Sequence, residues 1–245
     1  MRTSLALILL IAAGAATAAE PEAPSAKAYA LNINHPPKDA PKEIVSPPYI
    51  GVYVFIRVPG KHVVALEPTE TKLTLSDDKG TDLVAKSPVS GPSIPTDNSR
   101  GQARLYVTGA KMPVAGATRV RVKGELVLLC GAGEKTATAE KFAIKDKEKV
   151  EVGPAAFEVA VQKGRTVVNL KTASTSVKAV TFTDTDGKPL AVGGTLTLGT
   201  SGGKVGQTAV FVPPAKAETL GIKVVYYEKV ESVKVPVDTD TGVGP

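Results

Sequence analysis

The chain repeats itself, and the repeat limits what it can fold into. Lys72-Leu-Thr-Leu-Ser-Asp-Asp-Lys-Gly80-Thr-Asp-Leu83 returns as Ala179-Val-Thr-Phe-Thr-Asp-Thr-Asp-Gly187-Lys-Pro-Leu190. Downstream, Gly101-Gln-Ala-Arg-Leu-Tyr-Val107 matches Gly206-Gln-Thr-Ala-Val-Phe-Val212, and Thr118-Arg-Val-Arg-Val122 matches Leu220-Gly-Ile-Lys-Val224. Upstream, His62-Val-Val-Ala-Leu66 lies beside Thr166-Val-Val-Asn-Leu170. The first three matches keep their order, at offsets of 107, 105 and 102 residues. A repeat of about one hundred residues is one β-sandwich domain long, so two related units are expected.

The local pattern agrees. From Gly51 onward, short runs of Val, Thr, Ile and Leu alternate with Lys, Thr and Glu, and Gly, Pro, Asp and Asn punctuate them. This is the signature of many short strands joined by turns, and no long segment carries a helical stripe. The repeated segment reads as a hairpin. A strand ends at Ser76 or Thr183, and a polar turn closes on Gly80 or Gly187, where a left-handed residue is needed. Gly131, Gly133, Gly193, Gly194, Gly202 and Gly203 also read as turn glycines, because neither a following helix nor a Lys-Ser/Thr pair makes them a phosphate loop.

On strand spacing and these two hairpins, the chain resembles the tandem immunoglobulin-like β-sandwiches of exported bacterial proteins. The resemblance implies an all-β fold of two such domains and a binding, spacing or adhesive role. It carries no functional residues across, since fold alone does not assign function. The Cys…Trp…Cys core of antibody domains is absent, as there is one Cys and no Trp.

The ends read differently. One basic residue, Arg2, precedes an apolar run over Leu5–Ala16, and Ala16-Thr-Ala18 offers a small-x-small cleavage site. This is the order of a secretory leader, and the run is too short for the roughly 20 residues of a membrane span. The expected layout is a signal peptide over 1–19, a Pro-rich arm over 20–48, sandwich domains over 49–149 and 150–238, and a flexible tail over 239–245. The protein is expected to be exported to the periplasm, cell surface or medium. Loss of Arg2 lowers the formal net charge from +6 to about +5, which suits anionic partners such as polysaccharide or lipid headgroups if the charge is clustered.

The candidate sites are few. Arg119, Arg121 and Lys123 alternate with Val120 and Val122, so period-two geometry puts the three cations on one strand face as an anion-binding ladder. Acidic neighbours on adjacent strands would instead make it a plain solvated face. Asp184 and Asp186 resemble part of a calcium loop, but with Gly187 at position 6 the first and last ligand positions fall on Phe182 and Gly193. The hairpin turn itself accounts for them. Cys130 ends an apolar run, Leu126–Leu129, and is expected to be a buried, inert thiol. His35 and His62 form no nucleophile pattern with Ser or Cys. No cofactor is expected, and no nucleic acid. Aromatics make up only 4% of the chain, which argues against the aromatic platforms that sugars prefer. The expected function is a non-catalytic binding or structural module of the cell envelope or exterior. The alternatives are an anionic-ligand binder acting through the basic face, and a hydrolase with an unrecognised carboxylate pair, whose spacing only a structure can give.

Overall fold

The structure is a computed structural model that describes residues 22–34, 48–93, 101–162, 165–172, 175–192, 196–201, 204–213 and 217–243. The expected leader, His35, Gly193, Gly194, Gly202 and Gly203 lie outside the described residues. Every regular element described is a β-strand, so the chain is all-β, with several antiparallel sheets.

Numbering strands in chain order, the first sheet runs β1 (Ser25–Asn34), β2 (Tyr49–Arg57), β6 (Gln102–Gly109), β5 (Val84–Ser93). A second runs β12 (Leu196–Ser201), β13 (Lys204–Phe211), β10 (Arg165–Thr172), β9 (Ala155–Gln162), β8 (Lys149–Val152). The third is built on two very long strands, β7 (Arg119–Ala143) and β14 (Thr219–Gly242). They pair antiparallel from Thr219 against Ala143 to Gly242 against Arg119. On the outer edge of β7, β3 (His62–Leu66) and β4 (Lys72–Asp77) follow one another, and β11 (Val177–Thr183) flanks the first part of β14.

The buried side chains form two main clusters on this ribbon. The first sheet packs Ile50, Val52, Val54, Leu105 and Val107 against Val120, Val122, Leu126, Leu128 and Cys130 of β7 and Val235 and Val237 of β14. The second sheet packs Phe157, Val168, Leu170 and Phe211 against Phe142 of β7, Phe182 of β11, and Leu220, Ile222 and Val224 of β14. Neither cluster is therefore one continuous stretch of chain. The end of β7 crosses into the second cluster, and the end of β14 returns to the first. Both long strands thus line both clusters. The pairing of β7 with β14 joins residues about one hundred positions apart, which leave no local mark in the sequence.

One residue makes the long ribbon serve both clusters. In β7 the apolar side chains stand at even positions from Val120 to Cys130 and at odd positions, Ala137 and Ala139, afterwards. In β14 the phase changes between Ile222 and Val224 at one end and Val235 and Val237 at the other. The register does not slip anywhere between Ile222–Ala139 and Gly242–Arg119. The phase changes at Gly133, whose φ is 69°, opposite Glu228, a pair the ladder omits. Both strands step by one side chain at this pair, with Gly133 taking the left-handed conformation on the β7 side. Hence Tyr227 lies on the same side as Gly131, where an added Cβ would sit 2.3 Å from its ring. Under strict alternation the two would face opposite ways. Gly131 and Gly133 are therefore strand glycines rather than turn glycines.

Three further expectations are corrected. The Pro-rich arm contains β1, which pairs along β2 and donates Ala28 N to Thr239 Oγ1 at 2.9 Å. Its flanking prolines hid an alternating Ala/Leu/Ile pattern. Residues 239–242 are strand rather than tail, because β1 and β7 supply partners for a segment that has none locally. Two of the repeat matches also fail in space. His62–Leu66 pairs with β7, whereas Thr166–Leu170 pairs with β9 and β13. Leu105 points inward, whereas its match Val210 is 52% exposed, so that alignment is out of phase by one residue.

The hairpins, in contrast, agree atom for atom. Asp77 Oδ1 accepts N–H of Lys79 and Thr81, and Asp184 Oδ1 accepts N–H of Asp186 and Lys188. Leu83 N bonds Leu75 O as Leu190 N bonds Phe182 O, and Gly80 and Gly187 have φ of 84° and 78°. Asp77 adds a third bond, from Val114 N to Oδ2.

Replacing Gly133 by alanine should cost about 1–2 kcal/mol, the penalty for a side chain in the left-handed region, read as a lower urea midpoint. For Asp77, burial acts to raise the carboxyl pKa, but hydrogen bonds from Val114, Thr81 and Lys79 outweigh it and hold the pKa below its ordinary value. A depressed folded pKa contributes stability above the unfolded value, about 3.9, and loses it as pH falls toward the folded one. Stability measured against pH should therefore lose part of its acid slope in Asp77→Asn, and an unchanged slope would contradict the assignment.

Candidate functional site

Of the three sheets, the third carries the most charged residues, and several of them are paired. Arg121 grips Asp238 through Nε and Nη2, both at 2.6 Å, and Arg119 meets Asp240. Lys234 meets Glu125 at 2.8 Å, and Lys135 meets Glu228 at 2.5 Å. Period-two geometry does align Arg119, Arg121 and Lys123, but β14 runs a matching row of acids beside them. Such exposed pairs contribute about 0.2–1 kcal/mol each, and an anion binding here would compete with two carboxylates. Lys123 has no acidic partner among the described residues. It borders a shallow, open depression lined by Thr71, Lys72, Leu73, Thr74 and Gly124.

Asp184 and Asp186 sit on the exposed hairpin, with Asp184 Oδ1 already accepting two backbone N–H groups. Among the described residues no group of three His, Cys, Asp or Glu side chains stands close enough to hold a metal ion.

At the middle of the ribbon lies a second charged group. His62 Nε2 is 3.5 Å from Glu134 Oε1, and Lys178 Nζ meets the same oxygen at 2.5 Å. The His62 ring packs 5.4 Å from that of Tyr227. Burial first, and then Glu134, push the Tyr227 hydroxyl up to about 12. On the other face, Lys229 and Lys61 hydrogen-bond Glu231 and draw it down to about 2. Cys130 pairs with Val63, so it faces the first cluster while the neighbouring His62 faces away. The two form no nucleophile–base pair. Burial pushes the Cys130 thiol up to about 11.

The first sheet differs in kind. None of its four strands contains Asp or Glu. In β2 the order Tyr49-Ile-Gly-Val-Tyr-Val-Phe-Ile-Arg57 buries Ile50, Val52, Val54 and Ile56 and turns Tyr49, Gly51, Tyr53, Phe55 and Arg57 outward. Beside them, β6 turns Arg104 and Tyr106 to the same face. In β1 a bulge between Ala28 and Ala30 throws out Tyr29, which is 50% exposed. The rings form a row. Tyr29 and Tyr53 are 5.8 Å apart, Tyr53 and Tyr106 4.6 Å, and the Arg104 guanidinium lies 5.5 Å from the centre of Tyr53. Gly51 makes the row possible, because a Cβ there would lie 2.0 Å from Tyr106 Cζ. Tyr106 therefore lies against the sheet, with Asn32 and Tyr49 at its hydroxyl; burial foremost raises its pKa. Phe55, 37% exposed, extends the apolar strip.

Five of the chain's eleven aromatic residues thus stand on one open face. An average over the chain concealed this, and the signal that could have revealed it was the odd-position run Tyr49, Gly51, Tyr53, Phe55, Arg57. Chemically, the face offers ring surfaces for C–H groups, the amide of Asn32 for hydroxyls, and unpaired cations. Arg104 and Lys27 have no carboxylate partner among the described residues, whereas Arg57 meets Glu22 at 3.0 Å.

Among the described residues no helix is long and apolar enough to cross a membrane. No protein-family model matches the sequence, and no curated protein is similar to it.

The folded protein should resist a thiol reagent at neutral pH and react at Cys130 only after denaturation, followed as thiol released or blocked over time. Rapid labelling of the native protein would contradict the burial of Cys130.

Proposed function

We propose that the protein is a non-catalytic binding module, exported to the cell envelope or exterior, whose ligand surface is the outer face of the first sheet. The observation that carries this reading is the row Tyr29–Tyr53–Tyr106 with Arg104 over its central ring. Exposed aromatic rings are costly to leave in water, and a soluble surface rarely gathers them without a partner. The ladder of Arg119, Arg121 and Lys123 is the weaker candidate, since Asp238 and Asp240 already neutralise two of its three members. In this reading the two clusters are immunoglobulin-like sandwich domains joined by the two long strands that line both. The long ribbon fixes one against the other, and the tyrosine face is presented by the first alone.

The test uses the chain from residue 20 onward, against a panel of neutral and anionic polysaccharides and lipid vesicles at low and high salt. Tyr29→Ala, at a half-exposed site, should keep the melting temperature and weaken binding of whichever member is retained by about tenfold, or about 1.4 kcal/mol. Full retention of that member by both Tyr29→Ala and Tyr53→Ala would remove the site.

A further inference from the structure

We infer that the tyrosine face takes an acidic polysaccharide, with sugar rings against the tyrosines and sugar carboxylate or sulfate groups on Arg104 and Lys27. This rests on the reading of that face as the ligand surface and names the chemistry of its occupant.

The charge of the sheet is the first argument. On the third sheet several cations and acids stand in pairs, as at Arg121–Asp238, Lys135–Glu228 and Lys234–Glu125. The four strands of the first sheet carry Lys27, Arg57, Lys86 and Arg104 and no acid at all. A surface with one sign of charge attracts the opposite sign and repels its own. An anion here would not have to displace an existing carboxylate from Arg104 or Lys27.

Shape and spacing supply the second argument. The face is an open sheet rather than a pocket, so it offers length and no walls, which suits a chain better than a small molecule. Lys27 stands opposite Phe55 on one neighbouring strand, and Phe55 stands opposite Arg104 on the next. One cation therefore stands on each side of Phe55, next to the tyrosine row. A sugar ring is apolar on its faces and polar at its rim, and this arrangement meets both parts. Asn32, opposite Gly51 beside the Tyr106 ring, adds an amide for ring hydroxyls.

A single-stranded nucleic acid would also stack on tyrosines, but it presents a phosphate at every nucleotide and is usually held by a groove of cations tracking them. With Arg57 engaged by Glu22, Arg104 and Lys27 are the cations without a carboxylate partner among the described residues of this face, which suits intermittent charge better than a phosphate at every step.

The experiment uses alginate, an uncharged dextran and oligo(dT) as probes. Binding is followed by tyrosine fluorescence, which is unobscured because the chain lacks Trp, and by calorimetry. Alginate should bind, weaken with rising salt as charges are screened, and lose about tenfold in affinity in Arg104→Ala and in Tyr29→Ala, with Arg121→Ala unchanged. Dextran bound as well as alginate, with Arg104→Ala without effect but Tyr29→Ala harmful, would overturn the acidic ligand and keep the face. Oligo(dT) bound more tightly than alginate would also overturn it, in favour of nucleic acid. Binding of alginate that Arg121→Ala abolishes and Tyr29→Ala spares would overturn both this inference and the ligand face. No binding of any probe would overturn the acidic polysaccharide, leaving the panel measurement on Tyr29→Ala and Tyr53→Ala to decide the face.

Discussion

The ladder between β7 and β14 is the interaction on which the rest depends. Its backbone hydrogen bonds run without a slip from Ile222–Ala139 to Gly242–Arg119 and pass through both hydrophobic clusters. Each long strand belongs to the two clusters at once. Loosening either cluster therefore disturbs strands that also line the other.

A ladder this long could not serve both clusters by simple alternation. A strand's side chains change face at every residue, and the apolar positions of β7 and β14 change phase halfway. Gly133 absorbs that change in one left-handed residue while the pairing continues on either side. The same small patch gathers Tyr227, His62, Glu134 and Lys178 beside a small apolar cluster of Val64, Ala65, Leu129 and Val230, and the buried Tyr227 hydroxyl and His62 Nδ1 have no hydrogen-bond partner among the described residues.

The division of charge follows from the same architecture. In the ribbon, β7 and β14 bring Arg119 and Arg121 beside Asp240 and Asp238, so net charge nearly cancels there. The first sheet has no such partner strand. Its Arg104 and Lys27 have no carboxylate partner among the described residues and stand beside tyrosines whose packing requires Gly51. A surface kept basic and aromatic on one side, and neutral on the other, has a direction, and that direction supports placing the ligand on the first sheet.

By itself the sequence determined whatever is encoded within about a dozen residues. Period-two patterning specified the all-β class and most strands, including His62–Leu66 to the residue. The Asp-x-x-Gly hairpins came out with the same hydrogen bonds in both repeats because the turn, its capping carboxylate and its glycine are neighbours in the chain. The same locality made β1 illegible among its prolines and made Gly131 and Gly133 resemble a turn. Tertiary structure alone decided the rest: that β7 and β14 serve both clusters, that residues 239–242 have a partner, that Arg119 and Arg121 are neutralised, and that Tyr29, Tyr53 and Tyr106 from three strands form one row. Each of these is a pairing between residues tens to more than one hundred positions apart, and antiparallel register, which settles them, is a property of two strands rather than one.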